Sequence, residues 1–130
     1  MTFDTPINAT DASFGNAVLG AALPAVAVFW SPEGISRERL DAVLNETAEA
    51  YASEALVVKL DVKDAPEARA RYDVERLPQF LFFRDGKLIA RARGMPSAKA
   101  LRPWVDYLLQ RGPRPATQKR SAAEEKDADG

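Results

Sequence analysis

The chain has 130 residues, of which 46% are hydrophobic, and its eighteen basic and nineteen acidic side chains give a formal net charge of −1. That length points to one domain able to bury a core of its own, and the balanced charge removes any global electrostatic case for nucleic acid or an anionic membrane as partner. Histidine and cysteine are both absent, which excludes disulfides and soft-metal sites and removes the commonest general base; a carboxylate site for a hard cation is the one metal site left to consider, and no cofactor is expected.

The opening MTFDTPINAT has neither a basic segment nor an apolar core, so it does not read as a secretory signal. The longest apolar run, from about Leu19 to Trp30, is broken by Gly20 and Pro24 and is too short to cross a bilayer. A soluble, cytoplasmic protein is the default expectation. Residues 3–8 suit a short edge strand, with Pro6 tolerable only at an edge. Thr10 or Asp11 then suits a helix N-cap, and Phe14, Val18 and Leu19 share a helical face that Gly20 ends.

Ala25 to Trp30 is a continuous apolar run that suits a strand covered on both faces. It leads through Ser31, Pro32, Glu33, Gly34, Ile35 and Ser36 into a helix in which Leu40, Val43, Leu44, Thr47, Ala48 and Tyr51 form one stripe. Glu38, Asp41, Asn45, Glu46 and Glu49 mostly take the solvated side. Leu56 to Val62 reads as the next buried strand, and Pro66 opens a short helix at a position where a missing N–H does no harm.

Leu77-Pro78 is a turn feeding a strand through Phe83, and Asp85-Gly86 is a two-residue hairpin signal because both residues favour positive φ. On the return strand Lys87, Ile89, Arg91 and Arg93 alternate with Leu88, Ala90 and Ala92, which predicts one wet and one dry face. Ser97 caps a last helix with Leu101, Trp104, Val105 and Leu108 facing inward and an Arg102–Asp106 pair at i, i+4. Pro103 inside that helix predicts a kink or a later start.

From Gly112 the composition turns polar, so the expected division is a domain over 1–111 and a disordered tail over 112–130. The alternation of strands and helices argues an α/β fold with a mixed sheet.

Several short stretches fall in one order and spacing: TDASF at 10–14, FW at 29–30, KLDV at 59–62, Pro66, YDVERLP at 72–78, FFRDGK at 82–87 and Gly94. Together they resemble the thioredoxin family. The resemblance implies a thioredoxin-like fold, a central mixed β-sheet flanked by helices on both faces. It also implies a cis bond between Leu77 and Pro78 lying beside the 31–37 loop.

The departures from the family pattern fall where its chemistry would be. The two family cysteines correspond to Gly34 and Arg37, the buried carboxylate to Val28, the tryptophan before the first cysteine to Glu33, and the helix-kinking proline to Ala42. Thiol–disulfide exchange needs a thiolate attacking sulfur, so this chain cannot perform it by the family's route.

In the family, the backbone beside this proline pairs with an extended peptide. The resemblance therefore implies a shallow groove lined by Trp30, Glu33, Gly34, Ile35, Ser36, Arg37, Arg76, Leu77 and Pro78, holding a protein segment by main-chain hydrogen bonds. Two arginines beside backbone N–H groups favour an acidic or C-terminal partner. Ser31 or Ser36 as nucleophile would need a base, and Lys59, left without the family's buried carboxylate, is the one candidate in type. Arg84, Arg91, Arg93 and Lys87 make a basic strand face that offers bases no stacking aromatic, so nucleic acid is not expected.

The leading expectation is a redox-inactive, chaperone-like or assembly-assisting protein-binding module that is not an enzyme. The alternatives are a structural subunit of a larger complex with the groove unused, and a non-thiol enzyme on the same scaffold.

Overall fold

In the computed structural model, residues 5–33 and 36–115 are described. Five strands form one sheet in the order β1-β3-β2-β4-β5, comprising β1 (Ile7–Ala9), β2 (Ala25–Trp30), β3 (Leu56–Asp61), β4 (Gln79–Arg84) and β5 (Lys87–Arg93). β3 runs parallel to both β1 and β2, whereas β4 is antiparallel to β2 and β5 to β4. The sheet is therefore mixed, as the sequence predicts.

Alternation along the central strands sends side chains to two cores. Val26, Val28, Val57, Phe80 and Phe82 meet α2 (Arg37–Ala50) and α4 (Ala98–Leu108) on one face. Ala27, Phe29, Val58, Leu60, Leu81 and Phe83 meet α1 (Asp11–Phe14), the π-helical turn that follows it at Gly15–Leu19, and α3 (Pro66–Arg71) on the other. Phe14, Tyr72 and Phe83 close the second core with ring centroids 5.2–5.9 Å apart, and Trp104 stacks on Phe82 in the first at 5.7 Å. Because β2 is apolar throughout and β3 and β4 carry buried apolar side chains on both faces, both layers are needed to keep them from water.

Asp85 (φ 54°) and Gly86 (φ 76°) make the expected hairpin turn. A β-bulge opposite Phe82 and Phe83 then changes the prediction for β5. Leu88 packs in the second core, while Ile89, Ala90 and Ala92 pack against the first. The bulged residue shifts the pleat by one position, so the strand does not divide into one wet and one dry face. The basic face is split with it. Arg84 turns toward α4 and donates to the Leu108 carbonyl at 2.8 Å, while Arg91 reaches Gln79 at 2.7 Å.

α4 starts at its predicted cap, Ser97, and runs through Pro103 without a later start. The expected Arg102–Asp106 pair does not form. Asp106 instead accepts the Tyr51 hydroxyl at 2.8 Å, tying the end of α2 to α4. Of the predicted edge strand over 3–8, residues 3 and 4 lie outside the described residues and the strand itself falls at Ile7–Ala9, later than expected; residues 116–130 of the predicted tail also lie outside the described residues. Among the described residues no helix is long and apolar enough to cross a membrane.

Candidate functional site

The candidate site lies where β2 ends and β4 begins. Phe29 pairs with Gln79 across the antiparallel ladder, so the next residue on each strand, Trp30 and Pro78, sits at the same edge of the sheet. Trp30 is 5% exposed and its carbonyl accepts the Val62 N–H at 3.0 Å, which fixes the point where the loop leaves the sheet. Beyond it Ser31 Oγ accepts the Glu33 N–H at 3.3 Å, and Pro32 and Glu33 are exposed. Gly34 and Ile35 lie outside the described residues.

Ser36 caps α2 by accepting the Arg39 N–H at 3.3 Å and also donates to the Glu38 carboxylate at 3.1 Å. Such a cap satisfies one of the four free N–H groups of the first turn. Arg37 opens the helix, exposed, with its guanidinium 5.7 Å from the Trp30 ring centroid.

A second cation reaches the same indole from the sheet. Lys59, beside Val28 in the β2–β3 register, places Nζ 5.0 Å from the Trp30 centroid. Its amine pairs with Asp41 Oδ1 at 2.6 Å, the two side chains being 9% and 39% exposed. With Val28 where the family has its carboxylate, Lys59 reaches α2 for a counter-charge instead of extending to solvent. Asp41, expected on the solvated face of the helix, is thereby turned partly inward.

On the facing side, the Leu77-Pro78 bond is cis, as the resemblance implies. The turn before it is pinned by Arg69, which donates to the carbonyls of Val74 at 2.8 Å and Glu75 at 3.2 Å. Pro78 is buried, and its carbonyl accepts the Gly94 N–H at 3.1 Å. Leu77 is half-buried, and among the described residues its N–H and C=O find no hydrogen-bond partner. Arg76 is exposed, while its carbonyl accepts from the Gln79 amide at 3.2 Å.

The described members of the predicted groove thus fall on two neighbouring segments, 30–37 and 76–78. Ser31 and Ser36 bond to their own loop and helix cap, and Lys59 is committed to Asp41, so neither serine has the lysine as a hydrogen-bonded base. Among the described residues no group of three or more acidic, histidine or cysteine side chains is placed to hold a metal ion.

Sequence reading missed Asp41 and Gln79. A lone lysine inside LVVKLD was the available signal for the first, since a nearly buried ammonium demands a partner. For Gln79 the sequence carries no comparable signal, because its partners, Arg76 and Arg91, come together only in the folded turn and hairpin.

Comparison with known proteins agrees with this architecture. The thioredoxin family model matches residues 5–107. Thioredoxin from Mycobacterium tuberculosis H37Rv is 34% identical over 95 residues, covering 73% of this chain and 82% of that protein. Thioredoxin C-2 of Corynebacterium nephridii is 29% identical over 102 residues, covering 78% and 94% respectively. Among solved structures, a mutant thioredoxin from Halobacterium salinarum NRC-1 superposes with a TM-score of 0.74 at 18% identity, covering 91% of this chain and 98% of that one.

Proposed function

Because the chain belongs to the thioredoxin family and yet carries no cysteine, we infer that it is a redox-inactive member that holds extended protein segments in the groove beside Pro78, as a chaperone-like or assembly-assisting module. The observation that carries this reading is the Leu77 backbone. Leu77 is half-buried, and its N–H and C=O lack partners among the described residues, next to a cis proline whose flanking backbone is held by the Gln79 bond to the Arg76 carbonyl and the Gly94 bond to the Pro78 carbonyl. Backbone polar groups left unpaired at a protein surface are what an extended peptide satisfies when it adds to a sheet margin. The commitment of Lys59 to Asp41 speaks against the catalytic alternative, because a lysine acting as base must be free to take a proton from the nucleophile.

The test is a 15N-labelled spectrum titrated with a permanently unfolded protein, reduced and carboxymethylated lactalbumin. Amide shifts concentrated at Trp30, Arg37, Arg76 and Leu77 are expected. Shifts confined to the outer faces of α2 and α4, or none at all, would overturn the groove as the binding site.

A further inference from the structure

On the side of Pro78 away from α2, the Gln79 side chain joins the arginine-bearing end of β5 to the turn that carries Arg76. Arg91 and Arg93 stand two apart on β5, beyond the bulge, and therefore share a face; Arg93 is opposite Gln79 in the ladder and Arg91 is opposite Leu81. Gln79, 2% exposed, links the two segments. Its amide oxygen accepts from the Arg91 guanidinium at 2.7 Å, and its amide nitrogen donates to the Arg76 carbonyl at 3.2 Å.

A buried amide spent on aiming one guanidinium and fixing the backbone of a second arginine is a built arrangement rather than a solvated charge run. None of Arg76, Arg91 and Arg93 forms an ion pair among the described residues. In a chain of net charge −1 this local excess of positive charge is not a consequence of composition.

We propose that Arg76, Arg91 and Arg93, braced by Gln79, form a carboxylate-binding cradle that selects extended protein segments with acidic residues at alternate positions. This deepens the groove reading above and rests on it. A guanidinium presents a planar fork that matches a carboxylate. Side chains two apart on a strand lie roughly 6.6–6.8 Å from each other along it, so Arg91 and Arg93 have the same spacing as acidic residues at i and i+2 of an extended partner. A nucleic acid would require stacking surfaces, and Trp30 is 5% exposed with its ring already engaged by Lys59 and Arg37.

The test uses the full chain and dye-labelled peptides in which threonine alternates with glutamate or, in the control, with glutamine, read by fluorescence anisotropy. The glutamate peptide is expected to bind at least ten-fold more tightly, with the difference shrinking at high salt. In the Arg91→Ala, Arg93→Ala double variant the glutamate peptide alone should lose that advantage. The distant Arg111→Ala variant should change neither affinity. If the double variant fails to fold, Arg93→Ala, whose side chain is exposed, reads the same loss.

Equal affinities for the two peptides would overturn the cradle while leaving the groove reading intact. Binding of neither peptide, or of a labelled oligothymidine in their place, would overturn the cradle. The groove itself is judged separately by the backbone amide shifts described above.

Discussion

At Val28 and Lys59 the loss of redox chemistry leaves a mark on the energetics. Lys59 projects from a strand whose other residues up to Leu60 are apolar, and Val28, with no charge, stands opposite it on β2. A nearly buried ammonium without a partner is costly, and Asp41 removes most of that cost at 2.6 Å, with the Trp30 ring as a second, weaker contact. Two substitutions separate the pair from its parts. Asp41→Ala strands the amine and should lower stability by about 1–2 kcal/mol, discounted for the partial exposure of the carboxylate. Lys59→Met removes the charge and leaves a half-solvated Asp41, so it should be nearly neutral or stabilising. Urea denaturation of both variants checks the ranking; Lys59→Met as the more damaging change would show that the ion pair is a net stabiliser.

Among the elements, α4 carries two features that can be measured. Its junction with α2 is the Tyr51–Asp106 hydrogen bond, and burial, together with that bond and the nearby Asp106 charge, pushes the Tyr51 phenol up to about 12. A raised native pKa means that the folded state keeps its proton while the unfolded chain releases it near pH 10. The associated stability is therefore complete below about pH 10 and lost as pH rises toward 12. Tyr51→Phe should be less stable at neutral pH by about 1 kcal/mol and should lack this alkaline component, which urea midpoints across the pH range would show.

The second feature is Pro103, which deprives the Lys99 carbonyl of its helical partner. The helix nevertheless persists, because Ser97 caps its start at 3.1 Å, Arg84 takes the Leu108 carbonyl at its end, and Leu101, Val105 and Leu108 are buried. Tertiary packing outweighs the local propensity. Pro103→Ala should raise stability by about 1–2 kcal/mol, less than the full helix penalty because proline also restricts the unfolded chain; an unchanged or lowered urea midpoint would mean that α4 packs correctly only in its proline-bent form.

For the molecule as a whole, the fold brings together a helix start, a cis proline and a hairpin end, and the sequence supplies arginines there and no thiol. Insulin reduction by dithiothreitol should proceed at the same rate with and without the pure protein. Acceleration would overturn the argument that a chain without cysteine cannot exchange disulfides. The same edge of the sheet should instead respond to acidic segments in a salt-dependent way, since its arginines are solvent-accessible and screened by ions.

Local sequence decides which stretches become the central strands and the main helices, and that thiol chemistry is missing. Continuous apolar runs such as AVAVFW require cover on both faces, the Asp85-Gly86 turn sets the hairpin, and the absence of cysteine is a covalent fact. These are local or compositional properties, legible because side-chain periodicity and turn preference act over a few residues.

Tertiary structure decided the partners. Asp11, which reads as a cap for its own helix, directs its carboxylate at the Glu67 and Ala68 N–H groups, both at 2.9 Å, and so caps α3, whose own cap position is an alanine. Asp106 went to Tyr51 instead of Arg102, Asp41 to Lys59 instead of solvent, and one bulge at Ile89 sorted the arginines of β5 from that of β4. Each outcome depends on groups distant in sequence competing for one polar atom, or on a register shift of a single residue. A one-dimensional pattern carries neither kind of information, because hydrogen-bond geometry is set only when the chain has closed on itself.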